Sequence, residues 1–287
     1  MTPLELLGRW LGARLPDSAA AWLSSGIERC RTGIADRDLF LLISLVSRHV
    51  GKAPLALSEA ELEAGSASRP GWNPRDWTLD QAARVHLLCA STSDGAMMSA
   101  RLDRLCAAGD IGELVAYYRG LPLYPDQPRY ALRAAEGIRS NMRAVFEAVA
   151  HRNPYPAEQL DEPAWNQLVL KALFVGSPLH PIAGLDGRRN ATLARMLCDY
   201  AHERWAASRP VSPELWRCVG PFAAGAMLDD FARLFERGSA DERKAAALAL
   251  REATDPGAVR LLALHAHGTG DRADSRLTWE RLATAGN

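Results

Sequence analysis

Signals that start an α-helix recur along the whole chain, and they constrain its fold more than any other feature. In Thr2-Pro3-Leu4-Glu5 a threonine that can cap a helix stands three residues before a glutamate that can reach back to it. The same pattern recurs at Ser58-x-x-Glu61, Thr78-x-x-Gln81 and Ser239-x-x-Glu242. A chain punctuated in this way is predicted to be built from helices.

Apolar residues between these starts keep the helical period. Ile138, Met142, Val145 and Val149 follow one another at three- and four-residue spacing. We find no convincing segment in which β-branched and polar residues alternate between two hairpin turns. The sequence therefore predicts an all-α fold, a bundle or stack of about twelve to fourteen helices joined mostly by short loops.

The last third of the chain indicates a particular helix arrangement. Residues 239–250 begin with a charged turn and continue with small residues, and Asp255-Pro256 marks the start of a second helix. Such a pair resembles one HEAT-type repeat unit, in which small residues let two helices approach closely. We predict HEAT-like helical-repeat character toward the C-terminus, although no regular period is visible upstream.

The chain of 287 residues fits one large domain or two smaller ones. We divide it into an N-terminal helical region, residues 1–120, and a helical core with the HEAT-like unit, residues 121–287; one continuous domain is the alternative. Residues 65–77 and 175–189 are predicted to be long loops. The two tryptophans of the first loop indicate that it is packed onto the protein.

Composition narrows the classes of partner. Thirty-four basic and thirty-four acidic residues cancel, so charge gives no argument for nucleic acid or an anionic membrane as a partner. The most apolar stretch, residues 39–46, is too short to span a bilayer. The five cysteines form no Cys-x-x-Cys pair and no signal peptide is visible. We predict a cytoplasmic protein without membrane insertion, metal or cofactor.

The helix that follows Pro163 carries the first candidate site residues. Apolar side chains cover most of its circumference, which indicates burial. Asn166 falls inside the apolar arc and must find hydrogen-bond partners or cost about 1–3 kcal/mol. Either Asn166 and Lys171 line a pocket for a polar or anionic ligand, or Asn166 ties down a neighbouring loop and Lys171 reaches solvent.

A second helix, from Asn190 to about Ala207, carries an unexpected arginine. Arg204 points into the apolar stripe of this helix, where an arginine needs a partner. We expect it to hold a carboxylate in a bidentate pair, from Asp186, Asp199 or another helix. The pair is either a structural staple or part of a site that recognises an acidic or phosphate-bearing ligand.

On the same helix Asp199, His202 and Glu203 share one face through their i, i+3 and i+4 spacing. They are either part of a metal site or acid–base pair, or ordinary solvated charges; one helix supplies too few ligands to predict a metal site. The chain has no Gly-x-Ser-x-Gly, dinucleotide fingerprint or His-Glu-x-x-His motif. No catalytic residue is predicted.

Several blocks of sequence follow one another in a fixed order between Tyr130 and Phe222. They include Ala135-Glu-Gly-Ile-Arg139, Asn153-Pro-Tyr-Pro-Ala157, Trp165-Asn-Gln-Leu-Val-Leu-Lys-Ala-Leu-Phe-Val-Gly176, Gly184-Leu-Asp186, Asp199-Tyr-Ala-His-Glu-Arg204 and Pro213-Glu-Leu-Trp-Arg217. Together these blocks resemble the EboA family. The first 120 residues carry no motif that we recognise.

The resemblance implies a bacterial accessory protein of secondary metabolism, encoded with a prenyltransferase and a cyclase and associated with metabolite traffic. The family lends no catalytic residues. We therefore select polar residues on largely apolar helices within the matching blocks as candidates for ligand or partner binding only: Asn166, Lys171, Asp186, Asp199, His202 and Arg204.

Three functions are compatible with this sequence. The first is a non-catalytic scaffold or carrier that binds other Ebo-cluster proteins or a small hydrophobic metabolite of prenyl or cyclitol type. The second is an enzyme of unknown reaction on a pathway intermediate, which a deep pocket with a convergent acid and base would favour. The third is a purely structural assembly partner, which a large apolar patch would favour. The oligomeric state is left open.

Overall fold

The computed structural model describes residues 1–265 and 278–285, and these residues form seventeen α-helices, five short 3₁₀-helices and no β-sheet. The prediction of an all-α fold is confirmed. The number of helices exceeds our prediction because some, such as Tyr155–Gln159 and Trp216–Val219, are too short to show a period in the sequence. Within the described part of the chain, no helix combines the length and the apolar character needed to cross a membrane.

The chain divides into two compact units, Met1–Asp161 and Glu162–Asn287. Residue 120, where the sequence analysis divided the chain, lies inside the first unit. The α-helices of the first unit are α1 (Pro3–Gly12), α2 (Asp17–Arg31), α3 (Asp36–Val50), α4 (Glu59–Ser68), α5 (Leu79–Ser91), α6 (Gly95–Ala108), α7 (Ile111–Arg119), α8 (Ala131–Arg139), α9 (Arg143–Ala150) and α10 (Tyr155–Gln159). Two 3₁₀-helices, Leu121–Leu123 and Gln127–Tyr130, join α7 to α8.

Helix α5 lies at the centre of the first unit and packs against α1, α2, α3 and α7. It is buried even at Asp80, Arg84 and His86. The guanidinium of Arg84 donates to the Asp80 carboxylate and to the Ser47 hydroxyl, so this buried charge is paired. Burial lowers the pKa of His86 to about 4, which keeps this imidazole neutral at physiological pH.

The loop that follows α4 is fastened by tryptophans. The Trp72 ring stacks on Trp10 with a centroid distance of 5.9 Å and meets the edge of Trp77 at the same distance. Both loop tryptophans are buried, as the sequence indicated. The loop is shorter than predicted, because α4 continues to Ser68.

In the second unit the described α-helices are α11 (Glu162–Phe174), α12 (Ala191–Ala206), α13 (Trp216–Val219), α14 (Met227–Arg237), α15 (Ala240–Leu250), α16 (Pro256–His265) and α17 (Trp279–Ala285). Three 3₁₀-helices lie between them, Asp186–Arg188, Pro213–Leu215 and Gly220–Phe222.

Helix α15 is the centre of the second unit and packs against α13, α14, α16 and α17. Gly220 permits close approach to this helix, because a Cβ atom at this position would lie 2.3 Å from the Ala249 carbonyl oxygen. The two helices of the predicted HEAT-like unit are present as α15 and α16. HEAT-like repeat character is not confirmed by this single pair and stays a prediction.

Candidate functional site

An open groove of about 520 Å³ lies in the second unit. One wall is formed by the end of α12 and the turn that follows it, residues 208–211. The other is formed by α14 and the start of α15. The lining residues are Trp205, Ser208, Arg209, Pro210, Val211, Arg233, Leu234, Arg237, Gly238 and Glu242. We refer to this feature as the arginine groove.

The arginine groove is positively charged although the whole chain is neutral. Three arginines and one glutamate give its lining a formal charge of +2, against +0 for all 287 residues. The Glu242 carboxylate accepts a hydrogen bond of 2.7 Å from the backbone N–H of Ser239, so it is engaged in capping α15. The ion pairs within residues 1–265 and 278–285 include none from Arg209, Arg233 or Arg237.

Trp205 organises one side of the groove. The Arg233 guanidinium lies over its ring, 4.4 Å from the centroid, and the Trp216 ring stacks on it at 5.8 Å. Trp216 is fully buried, as are Val211 and Leu234 to within a few per cent. The groove therefore combines an apolar base, fixed to the core, with exposed guanidinium groups.

The turn at residues 208–211 is fixed by hydrogen bonds to the last residues of α12. Ser208 adopts a left-handed conformation with φ of 54°, and the Arg209 N–H donates to the Arg204 carbonyl oxygen at 2.8 Å. Nε of Arg204 donates to the Pro210 carbonyl oxygen at 3.0 Å. Arg204 thus holds the 208–211 turn against the helix from which it emerges.

The expectation that Arg204 is buried and pairs with a carboxylate is therefore wrong. This side chain is partly exposed, and its hydrogen-bond acceptor is a backbone oxygen. The physical reason is that α12 ends two residues later, so the chain turns back and presents the Pro210 carbonyl. Asp186, one of the acids that we considered, is paired with Arg217 instead.

His202 links the two helices that flank the groove. Its Nε2 lies 2.6 Å from Oδ1 of Asp230 on α14, and its ring centroid lies 5.8 Å from that of Trp205. Asp199 is exposed on α12. In the described part of the chain, no three His, Cys, Asp or Glu side chains converge in a way that could hold a metal ion.

The other candidates lie outside the groove lining. Asn166 exchanges two hydrogen bonds with Asn190, of 3.2 and 2.8 Å, and Asn190 caps α12 by accepting from the Leu193 N–H. Lys171 is half-buried on α11, and this burial lowers the pKa of its ammonium group.

Asp186 accepts hydrogen bonds of 2.8 and 2.7 Å from the Arg217 guanidinium, and these hold the pKa of its carboxyl below the usual value. The structure therefore places His202 and Arg204 in contact with two groove residues, Trp205 and Pro210, and none of the six candidates is in the groove lining. Ligand binding by any of the six stays a prediction.

Sequence reasoning missed Trp205, Arg209, Arg233 and Arg237. One signal was available, since Arg233 and Arg237 are four residues apart and share a face of α14. Their approach to Trp205 depends on how α14 packs beside α12, and no local pattern specifies that.

A second cavity, of about 80 Å³, lies in the first unit. Asp76, Arg119, Glu147, His151 and Arg152 are among its lining residues. The Arg152 guanidinium pairs with the Asp76 carboxylate at 2.6 Å. Ligand sites in proteins have volumes of about 300–1,000 Å³, several times the volume of this cavity. It is too small for a metabolite.

The five cysteines offer no reactive thiolate. All are free, and burial raises the pKa of each thiol to about 11 or 12. A thiol is a nucleophile or a metal ligand in its thiolate form. The cysteines therefore act as small apolar side chains at neutral pH.

The family model described as metabolite traffic protein EboA matches residues 4–220, about three quarters of the chain. The chain belongs to the EboA family. The EboA match includes the N-terminal region in which we recognised no motif. It also includes Trp205 and the 208–211 turn, and it ends before Arg233 and Arg237. No curated protein sequence and no solved structure matches the chain.

Proposed function

We propose that this EboA-family protein is a non-catalytic accessory protein that holds a small metabolite of an Ebo-type pathway in the arginine groove. The observation that carries the proposal is an open groove of about 520 Å³ whose three arginines have no carboxylate partner within the described residues. Ligand sites in proteins have volumes of about 300–1,000 Å³. A carrier role also fits a family described by metabolite traffic.

The side chains in the groove favour binding over chemistry. Arginine stays protonated at physiological pH, so its guanidinium attracts negative charge but does not transfer protons. Ser208 supplies a hydroxyl, and a hydroxyl needs an adjacent general base to become a nucleophile. The lining residues include no histidine. An open groove also suits a protein that must release its ligand to another protein, whereas enzymes often close around a substrate.

The Trp205 ring in the groove supports the hydrophobic character that we expected of the metabolite. The partly exposed ring of Trp205 presents carbon surface beside the guanidinium groups. A compound with a prenyl or cyclitol skeleton would place its carbon frame there. In this proposal other Ebo-cluster proteins deliver or receive the compound in the cytoplasm.

The small cavity of the first unit favours one alternative, an enzyme acting on a pathway intermediate. Asp76, Glu147 and His151 bring carboxylates and an imidazole to one cavity, as general acid–base catalysis requires. Its volume of about 80 Å³ and the Arg152–Asp76 pair weigh against a substrate there. For the third hypothesis, a purely structural assembly partner, the described residues offer exposed apolar side chains such as Phe174.

The experiment that tests the proposal is native mass spectrometry of the protein purified from a host that expresses the whole gene cluster. A retained small molecule of constant mass supports a carrier. An empty protein in complex with another cluster protein contradicts the proposal and supports the assembly partner. A retained molecule that changes mass during incubation of the purified protein would identify an enzyme.

A further inference from the structure

We infer that the arginine groove recognises an acidic group of its ligand, a carboxylate or a phosphate, through Arg233 and Arg237. The carbon frame of the ligand then lies against the partly exposed ring of Trp205. This inference rests on the proposed function and names the chemical class of the ligand. Four features of the second unit lead to it.

The first feature is the position of Arg233. Its guanidinium carbon lies over the Trp205 ring, 4.4 Å from the ring centroid. Within the described residues its N–H groups make no hydrogen bond to a protein acceptor. A guanidinium held by an aromatic face keeps its planar fork of donors available, and that fork matches the two oxygens of a carboxylate or phosphate.

The second feature is the clustering of like charges. Arg237 follows Arg233 by four residues on α14, which puts the two side chains on neighbouring turns of one face. Arg209 approaches from the opposite wall of the groove. Like charges at this spacing repel one another and destabilise a helix. An anion bound between them removes the repulsion and gains hydrogen bonds at the same time.

The third feature is a contrast with other arginine pairs of the same chain. Arg101 and Arg104 share the carboxylate of Asp36, with distances of 2.8 and 2.7 Å. Arg189 and Arg217 share the carboxylate of Asp186 in the same way, at 3.7 and 2.7 Å.

A protein carboxylate thus bridges neighbouring arginines in both units. In the arginine groove no described residue supplies such a bridge to Arg233 and Arg237. The acidic group of a ligand would form it.

The fourth feature is the extent of the positive charge. The lining of this one groove has a formal charge of +2, on a chain of net charge +0. A nucleic acid needs a basic stripe that follows many phosphates. The partly exposed ring of Trp205 beside the arginines is suited to a small molecule with one acidic group and one apolar part.

The test is a titration of the full-length protein with three probes of similar carbon frame: phenyl phosphate, benzoate and the neutral benzyl alcohol. The reporter is the indole N–H signal of Trp205 in nitrogen-15 NMR spectra, which Trp205→Phe assigns by removing it. We expect at least one acid to shift this signal with much higher affinity than the alcohol. Tighter binding of phenyl phosphate indicates a phosphate ligand, and tighter binding of benzoate a carboxylate.

The variants Arg233→Gln and Arg237→Gln each remove one guanidinium. Hydrogen bonds to charged groups have net values that correspond to a loss of about 10- to 100-fold in affinity for the acid. The matched control is Arg195→Gln, which removes an exposed arginine of α12 outside the groove and should leave the affinity unchanged.

Wild-type protein provides a further measurement that requires no variant to fold. Added salt screens exposed charges over about 8–10 Å, so binding of the acid should weaken as salt rises while binding of the alcohol does not. Equal affinity for the alcohol and the acids, or unchanged affinity in both arginine variants, overturns the inference. In either case a groove that binds the neutral probe leaves the proposed function standing.

A Trp205 signal that no acid shifts also overturns the inference. The proposed function then depends on native mass spectrometry alone. Retention of a small molecule from the cluster host would support the carrier role without an anion site. An empty protein would contradict both the carrier role and the anion site.

Discussion

The guanidinium carbon of Arg233 lies over the ring of Trp205, 4.4 Å from its centroid, and this contact joins α14 to the end of α12. Trp205 in turn stacks on the fully buried Trp216, whose ring meets the edge of Phe231 at 5.2 Å. A side chain that forms part of the groove is thereby anchored to the apolar core of the second unit. The position of the charge in the groove is a consequence of core packing.

Replacement of Trp205 tests this relationship. In Trp205→Leu the Arg233 guanidinium loses its aromatic support, and a cation–π contact at an exposed site contributes about 0.5–1 kcal/mol. We expect affinity for the acidic probe to fall about two- to fivefold, measured by isothermal titration calorimetry. Trp205→Phe keeps an aromatic face and should lose less. Wild-type affinity in the leucine variant would show that the contact does not prepare Arg233 for binding.

Asp186 and Arg217 form the pair that sequence analysis wrongly sought at Arg204. Removal of the acid leaves a buried guanidinium without its partner, whereas removal of the arginine leaves an acid that is already half exposed. Asp186→Asn should therefore lower the free energy of unfolding by about 3 kcal/mol, and Arg217→Met should lower it less. Urea denaturation measures both. Equal losses would show that the pair is not held in a buried environment.

The same pair gives a pH dependence of known sign. Hydrogen bonds from Arg217 lower the pKa of Asp186 in the folded protein, so the folded state binds this proton more weakly than the unfolded state. The stabilisation is complete above the unfolded pKa and is lost as pH falls through the folded pKa. In Asp186→Asn the loss of stability on acidification should be smaller in this range.

Asn166 is expected to act through structure. It is almost fully buried and exchanges hydrogen bonds with Asn190, the residue that caps α12. Asn166→Ala leaves the amide of Asn190 with fewer partners and should cost about 1–3 kcal/mol of stability. Gln167→Ala, at the exposed neighbouring position, is the control and should change stability little. An Asn166 variant of normal stability that no longer retains a metabolite would instead make this residue a ligand contact.

His86 predicts a pH effect in the first unit. Its pKa lies at about 4 in the folded protein because of burial, against an ordinary value of 6.5 for histidine. Between these values the unfolded chain binds the proton and the folded chain does not, so stability is full above pH 6.5 and decreases as pH falls toward 4. The total loss is about 3 kcal/mol.

The variant His86→Leu removes this titration. Its stability should change less between pH 6.5 and pH 4 than that of the wild type, as measured by urea denaturation at a series of pH values. Nδ1 of His86 has no hydrogen-bond partner within the described residues, so the variant should not be destabilised at pH 7 by a lost bond. The same pH slope in variant and wild type would contradict a neutral, buried imidazole.

The helices could be predicted from the sequence because their starting signals act over four residues. The capping boxes at Thr2, Ser58 and Ser239 form as expected. The burial of Asn166 could also be predicted, because apolar residues cover most of the circumference of its helix. Both depend on residues within one or two turns of a helix, and these are adjacent in the sequence.

The groove could not be predicted, because it depends on contacts between distant parts of the chain. Arg204 lies in the apolar stripe when an ideal helix is continued, but α12 ends at Ala206 and Pro210 supplies the acceptor. Arg217 finds Asp186 from 31 positions away. Sequence spacing offers several acids to each arginine and does not choose among them.

The central claim is that the arginine groove holds an acidic metabolite. Its most direct test is native mass spectrometry of three proteins purified from a host that expresses the gene cluster: wild type, Arg195→Gln, and the double variant Arg233→Gln/Arg237→Gln. We predict that wild type and Arg195→Gln retain the same small acidic molecule and that the folded double variant has lost it. Retention of that molecule by the double variant at the wild-type level would contradict the claim.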